Sequence, residues 1–274
     1  MSKKIYFITT EISPFAEVSN LASFSANVPL ALQDMGNEVR TIIPKYGFIS
    51  ERKYILREVI RLKSIPFEFN GENIVASAKS GFIPKTRVQV YFLESEAWFK
   101  NLTNLLYKAK NGRVMLDNGK RYSFYSKAVL STLPHLFWSP DIFICNGWQS
   151  ALIPSIYKQQ FEGLNEFYKG LKTLLVIHEL DEYAQFEREV LKNIGISIDK
   201  TIKGDNINIF EVASFDADKI VILDKPSSLI SKKLMALGSF KKNKEKVTIV
   251  KTENDEDFNF NSMSEQINNI ISKL

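Results

Sequence analysis

Six short apolar runs recur along this 274-residue chain, and they constrain the fold more than any other feature. They are "IYFIT" at 5–9, "EVRTIIP" at 38–44, "VQVYFL" at 88–93, "DIFIC" at 141–145, "TLLVIH" at 173–178 and "KIVIL" at 219–223. They are short, rich in β-branched and aromatic residues, and mostly apolar, as expected of strands covered on both faces. Between several of them the apolar residues take helical spacing. Leu21, Phe24, Val28 and Met35 fall near one helical face, as do Tyr122, Tyr125 and Val129, and then Leu152, Ile156 and Tyr157. Strands alternating with helices predict an α/β fold with a Rossmann-like, doubly wound and mainly parallel sheet. The stretch 54–93 breaks that rhythm. Its closely spaced β-rich segments and the Asn70-Gly71 turn predict an antiparallel hairpin excursion. The reading is one domain over 1–250, followed by a polar linker and C-terminal helix over 251–274, with Ile267, Ile270 and Ile271 on the helix's apolar side.

Composition narrows the function classes. A net charge of +5 without an aromatic-interleaved basic patch gives no footprint for nucleic acid. "KKNKEK" at 241–246 and "ENDED" at 253–257 read as solvated surface. No segment approaches the ~20 apolar residues of a membrane span, and no signal peptide is evident, so a cytoplasmic location is expected. One cysteine and two histidines make a Cys/His metal site unexpected.

In a doubly wound sheet, ligands lie beyond the carboxyl ends of the strands. The familiar glycine-rich, nucleophile-elbow and zinc-helix motifs are absent from those segments and from the rest of the chain. Cys145, ending an apolar run, reads as a buried inert thiol. His178 follows "LLVI" directly and is a weak catalytic candidate, or a histidine hydrogen-bonded to a neighbouring loop. Trp148 and Gln149 could stack on and bond a sugar, or close the core. Glu179, Asp181 and Glu182 could form an acid/base pair or a hard-cation site, or a solvated loop.

The order of segments also resembles a known family. "TEISPFAEVSNLASFSANVPLALQDMGNEVRTIIPKYG" is similar to the opening of bacterial-type glycogen and starch synthases, which runs "SE-x-x-PF-x-KTGGLADV", then "GH-x-V", then "PKY". "DNGKRYSFYSKAVL", "WSPDIFICNGWQSALIP", "VIHELDEYAQFEREVLKNIGI" and "INIFEVASFDADKIVILDKPSSL" follow that family's later motifs in the same order. The resemblance implies the N-terminal half of a GT-B glycosyltransferase.

In that family the "KTGGL" loop contacts the donor diphosphate. Glycines let backbone amides approach the anion and lysine adds charge. Glu17, Val18, Ser19, Asn20 and Leu21 stand there instead. Glu17, Ser19 and Asn20 are therefore read as the remnant of a donor loop, with Ser19 and Asn20 as N-caps whose oxygens occupy the freed amides. Asn146-Gly147-Trp148 replaces the family's "HDW", leaving Trp148, Gln149 and His178 as candidate sugar contacts. Lys45 is the one plausible replacement cation. The chain also stops where a second GT-B domain would begin.

The expectation is a synthase-like domain without independent glucosyltransferase activity, a pseudoenzyme that binds a partner protein, a second copy of itself, or a glucan over its cleft face. No cofactor, metal, nucleic acid or membrane is expected, and binding of ADP-glucose is not expected. Two alternatives stay open: a subunit of a split ADP-glucose-dependent synthase, or a new small-molecule activity in the old cleft.

Overall fold

A computed structural model describes residues 2–103, 105–180, 182–252 and 259–274. In chain order the strands are β1 (Lys4–Ile8), β2 (Glu38–Pro44), β3 (Arg57–Glu58), β4 (Ile65–Phe69), β5 (Glu72–Phe82), β6 (Gln89–Glu94), β7 (Ile142–Asn146), β8 (Lys172–Ile177), β9 (Gln185–Glu187), β10 (Asn206–Asn208), β11 (Lys219–Asp224) and β12 (Val247–Lys251). The longer helices are α1 (Leu21–Asp34), α2 (Asn118–Ser131), α3 (Ile209–Asp216) and α4 (Phe260–Ile271).

The main sheet runs β12-β11-β8-β7-β1-β2-β6-β5-β3, with β4 also paired to β5. From β12 to β6 every pairing is parallel. β5 then turns back antiparallel to β6, β4 and β3. All six apolar runs are strands, and the hairpin excursion sits where the sequence places it. Asn70 and Gly71 both have positive φ, 54° and 80°, the two-residue turn whose twist suits a hairpin.

β1 lies between β2 and β7, and its register pairs Ile5 with both Val39 and Ile142. Successive side chains point to opposite faces. Tyr6 and Ile8 therefore enter a large core with Phe92, Tyr125 and Phe143, while Ile5 and Phe7 join a smaller one with Phe24, Val28 and Leu32. Helices cover both faces, which is why these strands are continuously apolar.

Four details differ from the sequence pattern. Leu32, fully buried, completes the inner face of α1, whereas Met35 follows the helix and is 38% exposed. α4 begins at Phe260 rather than Met263, and packs on α1 through Met263, Ile267 and Ile271, with Asn37 donating to Asn268 Oδ1 at 3.0 Å. β12 is an edge strand that the sequence pattern did not single out. Beside it, Lys246 of "KKNKEK" is half-buried and donates to the carbonyls of Ser214 and Phe215 at the end of α3. The "ENDED" run lies outside the described residues. No described helix is long and apolar enough to cross a membrane.

Candidate functional site

The loop that follows β1 is built around a buried carboxylate. Thr9, Thr10 and Glu11 are all fully enclosed. Glu11 Oε2 accepts the backbone N–H groups of Val18 (2.6 Å) and Ser19 (2.7 Å). Its Oε1 accepts the hydroxyls of Ser19 (2.9 Å) and Tyr107 (2.7 Å). A buried charge needs this kind of saturation, because an unpaired carboxylate in the interior is costly. Burial, and then the Glu11 charge, hold the Tyr107 hydroxyl well above its ordinary pKa, so it stays a donor.

The start of α1 is closed in the same way. Ser19 Oγ accepts Leu21 N–H at 3.2 Å, and the Ser19 carbonyl accepts Ala22 N–H at 3.1 Å. Asn20 occupies the N-cap position with helical φ and ψ and makes no side-chain cap bond. Of the two expected caps, Ser19 acts and Asn20 does not. Helical dihedrals at Asn20 replace the extended backbone that normally lets a cap side chain fold back over its own helix. Glu17 is exposed and accepts a hydrogen bond from the Ser13 hydroxyl.

At the ends of β7 and β8, Asn146 bridges the sheet to α1. Its amide donates to Ser25 Oγ (2.9 Å), which donates to the Leu21 carbonyl (2.6 Å) and lies 2.9 Å from Thr9 Oγ1. Asn146 Oδ1 lies 2.5 Å from His178 Nε2. Burial, followed by the nearby positive charge of Lys225, pushes the His178 pKa down to about 3. The ring is therefore neutral near pH 7. Since a carboxamide oxygen only accepts, the ring carries its proton on Nε2. Phe24 packs edge-on to the same ring, with centroids 4.5 Å apart.

Gly147 has φ +82° and ψ 173°, a region open essentially to glycine alone. A Cβ there would meet Gln149 Oε1 at 2.6 Å and Leu21 Cδ1 at 3.3 Å. The side-chain amide of Gln149 folds into the space that any larger residue at 147 would fill. Trp148 is 2% exposed and ringed by Tyr107, Tyr122, Tyr183 and Phe186, with Tyr183 stacked on it at 6.0 Å. Trp148 Nε1 and Gln149 Oε1 are buried and find no hydrogen-bond partner among the described residues.

The other candidates lie apart. Lys45 Nζ is 3.4 Å from Glu51, which also binds Lys79 at 2.7 Å. Cys145 is fully buried, and burial pushes its thiol pKa far up. Glu179 and Glu182 are exposed, and Asp181 lies outside the described residues. Among the described residues no group of three His, Cys, Asp or Glu could hold a metal. Sequence reading singled out neither Glu11 nor Asn146 as a network centre. The one available signal was an acidic residue, or an amide, placed immediately after an apolar strand.

The parallel sheet, its helices on both faces and the loops at its carboxyl edge define one half of a GT-B glycosyltransferase fold. The catalytic domain of starch synthase IV from Arabidopsis thaliana, solved with ADP and acarbose bound, superposes with a TM-score of 0.76 at 19% identity, over 91% of this chain and 51% of that one. The starch synthase catalytic domain family matches residues 4–225, and the chain belongs to it. A glycogen synthase of Chlorobium limicola is 31% identical over 241 residues, 86% of this chain and 48% of that protein. One from Chlorobium phaeobacteroides is 36% identical over 177 residues, 65% of this chain and 36% of that protein. The chain thus spans about half the length, or less, of these relatives.

Proposed function

We propose that this glycogen/starch synthase-like domain does not transfer glucose by itself and acts as a binding or interaction domain. One observation carries the reading: at the start of α1, where the resemblance places the donor diphosphate, the Leu21 N–H is already held by a side chain, Ser19 Oγ. Val18 and Ser19 N–H are held by Glu11, and Leu21 N–H by Ser19 Oγ. Glu11 aligns with the acidic residue of the family's own opening, so its bonds to Val18 and Ser19 do not set this chain apart. The change specific to this chain is Ser19, whose hydroxyl fills Leu21 N–H where a glycine would leave it open.

Electrostatics points the same way. Glu17 stands where the family places lysine. A unit charge pair ~4 Å apart is worth about 4 kcal/mol at an effective dielectric of ~20, and less at a position as exposed as Glu17. The reversal still changes attraction into repulsion. Lys45, the replacement cation, is engaged by Glu51. His178, neutral and bonded through Nε2, supplies no positive charge near pH 7.

A glucan is the second reading of the ligand. Trp148 and Gln149, the sugar contacts the sequence suggests, are enclosed in the core, so half-buried His178 is the candidate contact a glucan could reach directly. The test is transfer of labelled glucose from ADP-glucose to glycogen by the purified chain. No incorporation above a protein-free control is expected, and steady turnover would overturn the proposal.

A further inference from the structure

A pocket of about 340 Å³ lies between the segment before β3 and the β5–β6 connection, and its wall residue Tyr54 packs against Pro14 and Phe15 of the loop after β1. Lys53, Tyr54, Ile55, Arg57, Phe82 and Lys85 contribute to its walls, and no Asp or Glu does. The neighbouring cations are neutralised: Lys45 and Lys79 are held by Glu51 and Glu94. Lys53, Arg57 and Lys85 make no ion pair among the described residues. Lys53 instead sits over the Tyr54 ring, 4.9 Å from its centroid.

The apolar part is equally unspent. Ile55 is 68% exposed and Phe82 56% exposed. Ile55 also has φ +53°, a left-handed conformation unfavourable for a β-branched residue. It closes the short helix Glu51–Tyr54, a position where glycine is the usual choice. Neither the backbone nor the core gains from isoleucine there, so its side chain is best explained by a contact outside this chain. The third feature is β3, the terminal strand of the sheet, with one edge of its backbone open.

Unpaired cations, an exposed apolar pair and a strand edge select one kind of occupant. A glucan would want carboxylates and amides for its hydroxyls, and the walls hold neither. We propose that this pocket docks an acidic, extended peptide segment of a partner protein. One aromatic side chain of that segment sits against Ile55 and Phe82, its carboxylates meet Lys53, Arg57 and Lys85, and its backbone runs beside β3. The proposal is independent of whether the donor loop binds phosphate.

The probe is a fluorescein-labelled, end-capped peptide Glu-Asp-Val-Phe-Glu-Asp, read by fluorescence anisotropy. Binding below about 1 mM is expected, weakening at least ~5-fold between about 50 and about 500 mM salt. The double variant Lys53→Glu with Lys85→Glu should lose ~10-fold or more. Ile55→Gly separates docking from folding. Glycine relieves the left-handed position, so the melting temperature should hold or rise while peptide affinity falls ~5-fold or more. No anisotropy change up to millimolar peptide would overturn the proposal. So would unchanged binding in either variant, equal binding of a peptide with Phe replaced by Ala, or displacement of the peptide by equimolar inorganic phosphate.

Discussion

Acidification should expose the buried state of His178. In the folded chain its pKa is about 3, against an ordinary value of 6.5. Between those values the unfolded chain binds a proton that the folded chain refuses. Stability must therefore be fully present above about pH 6.5 and fall as the pH drops toward 3. Linkage with these two values predicts a loss of about 2 kcal/mol from this one residue between about pH 7 and pH 5. The cause is local. A proton on Nδ1 would place a charge beside Phe24 and near Lys225, on a ring that is only partly open to water. The assay is urea denaturation of the wild type and of His178→Gln at both pH values. Other groups titrate in this range and some oppose the trend. Burial raises the Asp216 pKa, which favours the folded state on acidification. Those contributions cancel in the comparison, so the wild type should lose about 2 kcal/mol more than the variant. Equal losses, within about 0.5 kcal/mol, would mean that His178 titrates as an exposed histidine, and the closed network with Asn146 would be wrong.

Three substitutions test the rest of the site. Gly147→Ala should cost about 2 kcal/mol or more and lower the melting temperature by several degrees, because φ +82° with ψ 173° is a backbone conformation that alanine rarely adopts; an unchanged melt would refute the assigned backbone. Glu11→Gln keeps the shape but offers a single acceptor oxygen and no charge, where four donors now converge. A loss of roughly 2–4 kcal/mol is expected by chemical denaturation, with faster amide exchange at Val18 and Ser19. Trp148→Ala should behave as a core truncation, costing about 3–5 kcal/mol by the same denaturation assay.

The fold was legible because its strands are buried on both faces, and that leaves an unbroken apolar signature. The turn at Asn70-Gly71 was legible because few residue pairs tolerate two successive positive φ values. β12 was missed because "VTIVK" is an edge strand with only Val250 fully buried, so its apolar content is slight. Within the site, the departures from the family's phosphate-loop pattern at Glu17 and Ser19 were legible. Ser19 as the partner of a helix-start amide was legible too; Glu11 and Asn146 as the centres of the network were not. Glu11 and Tyr107 are 96 residues apart, and Asn146 and Ser25 are 121 apart. No local periodicity reports a hydrogen bond between such positions. The positive φ of Gly147 was hidden for a related reason, since glycine is permitted there without being required by any pattern around it.

The central claim is that the loop from Glu17 to Leu21 no longer accepts a diphosphate. Calorimetric titration of ADP into the purified chain tests it most directly, with a Glu17→Lys, Ser19→Gly, Asn20→Gly variant measured in parallel. The account predicts no saturable heat from the wild type up to about millimolar ADP, and at least a tenfold gain in affinity in the variant as charge and open amides return. Saturable binding by the wild type below about 100 µM would contradict it.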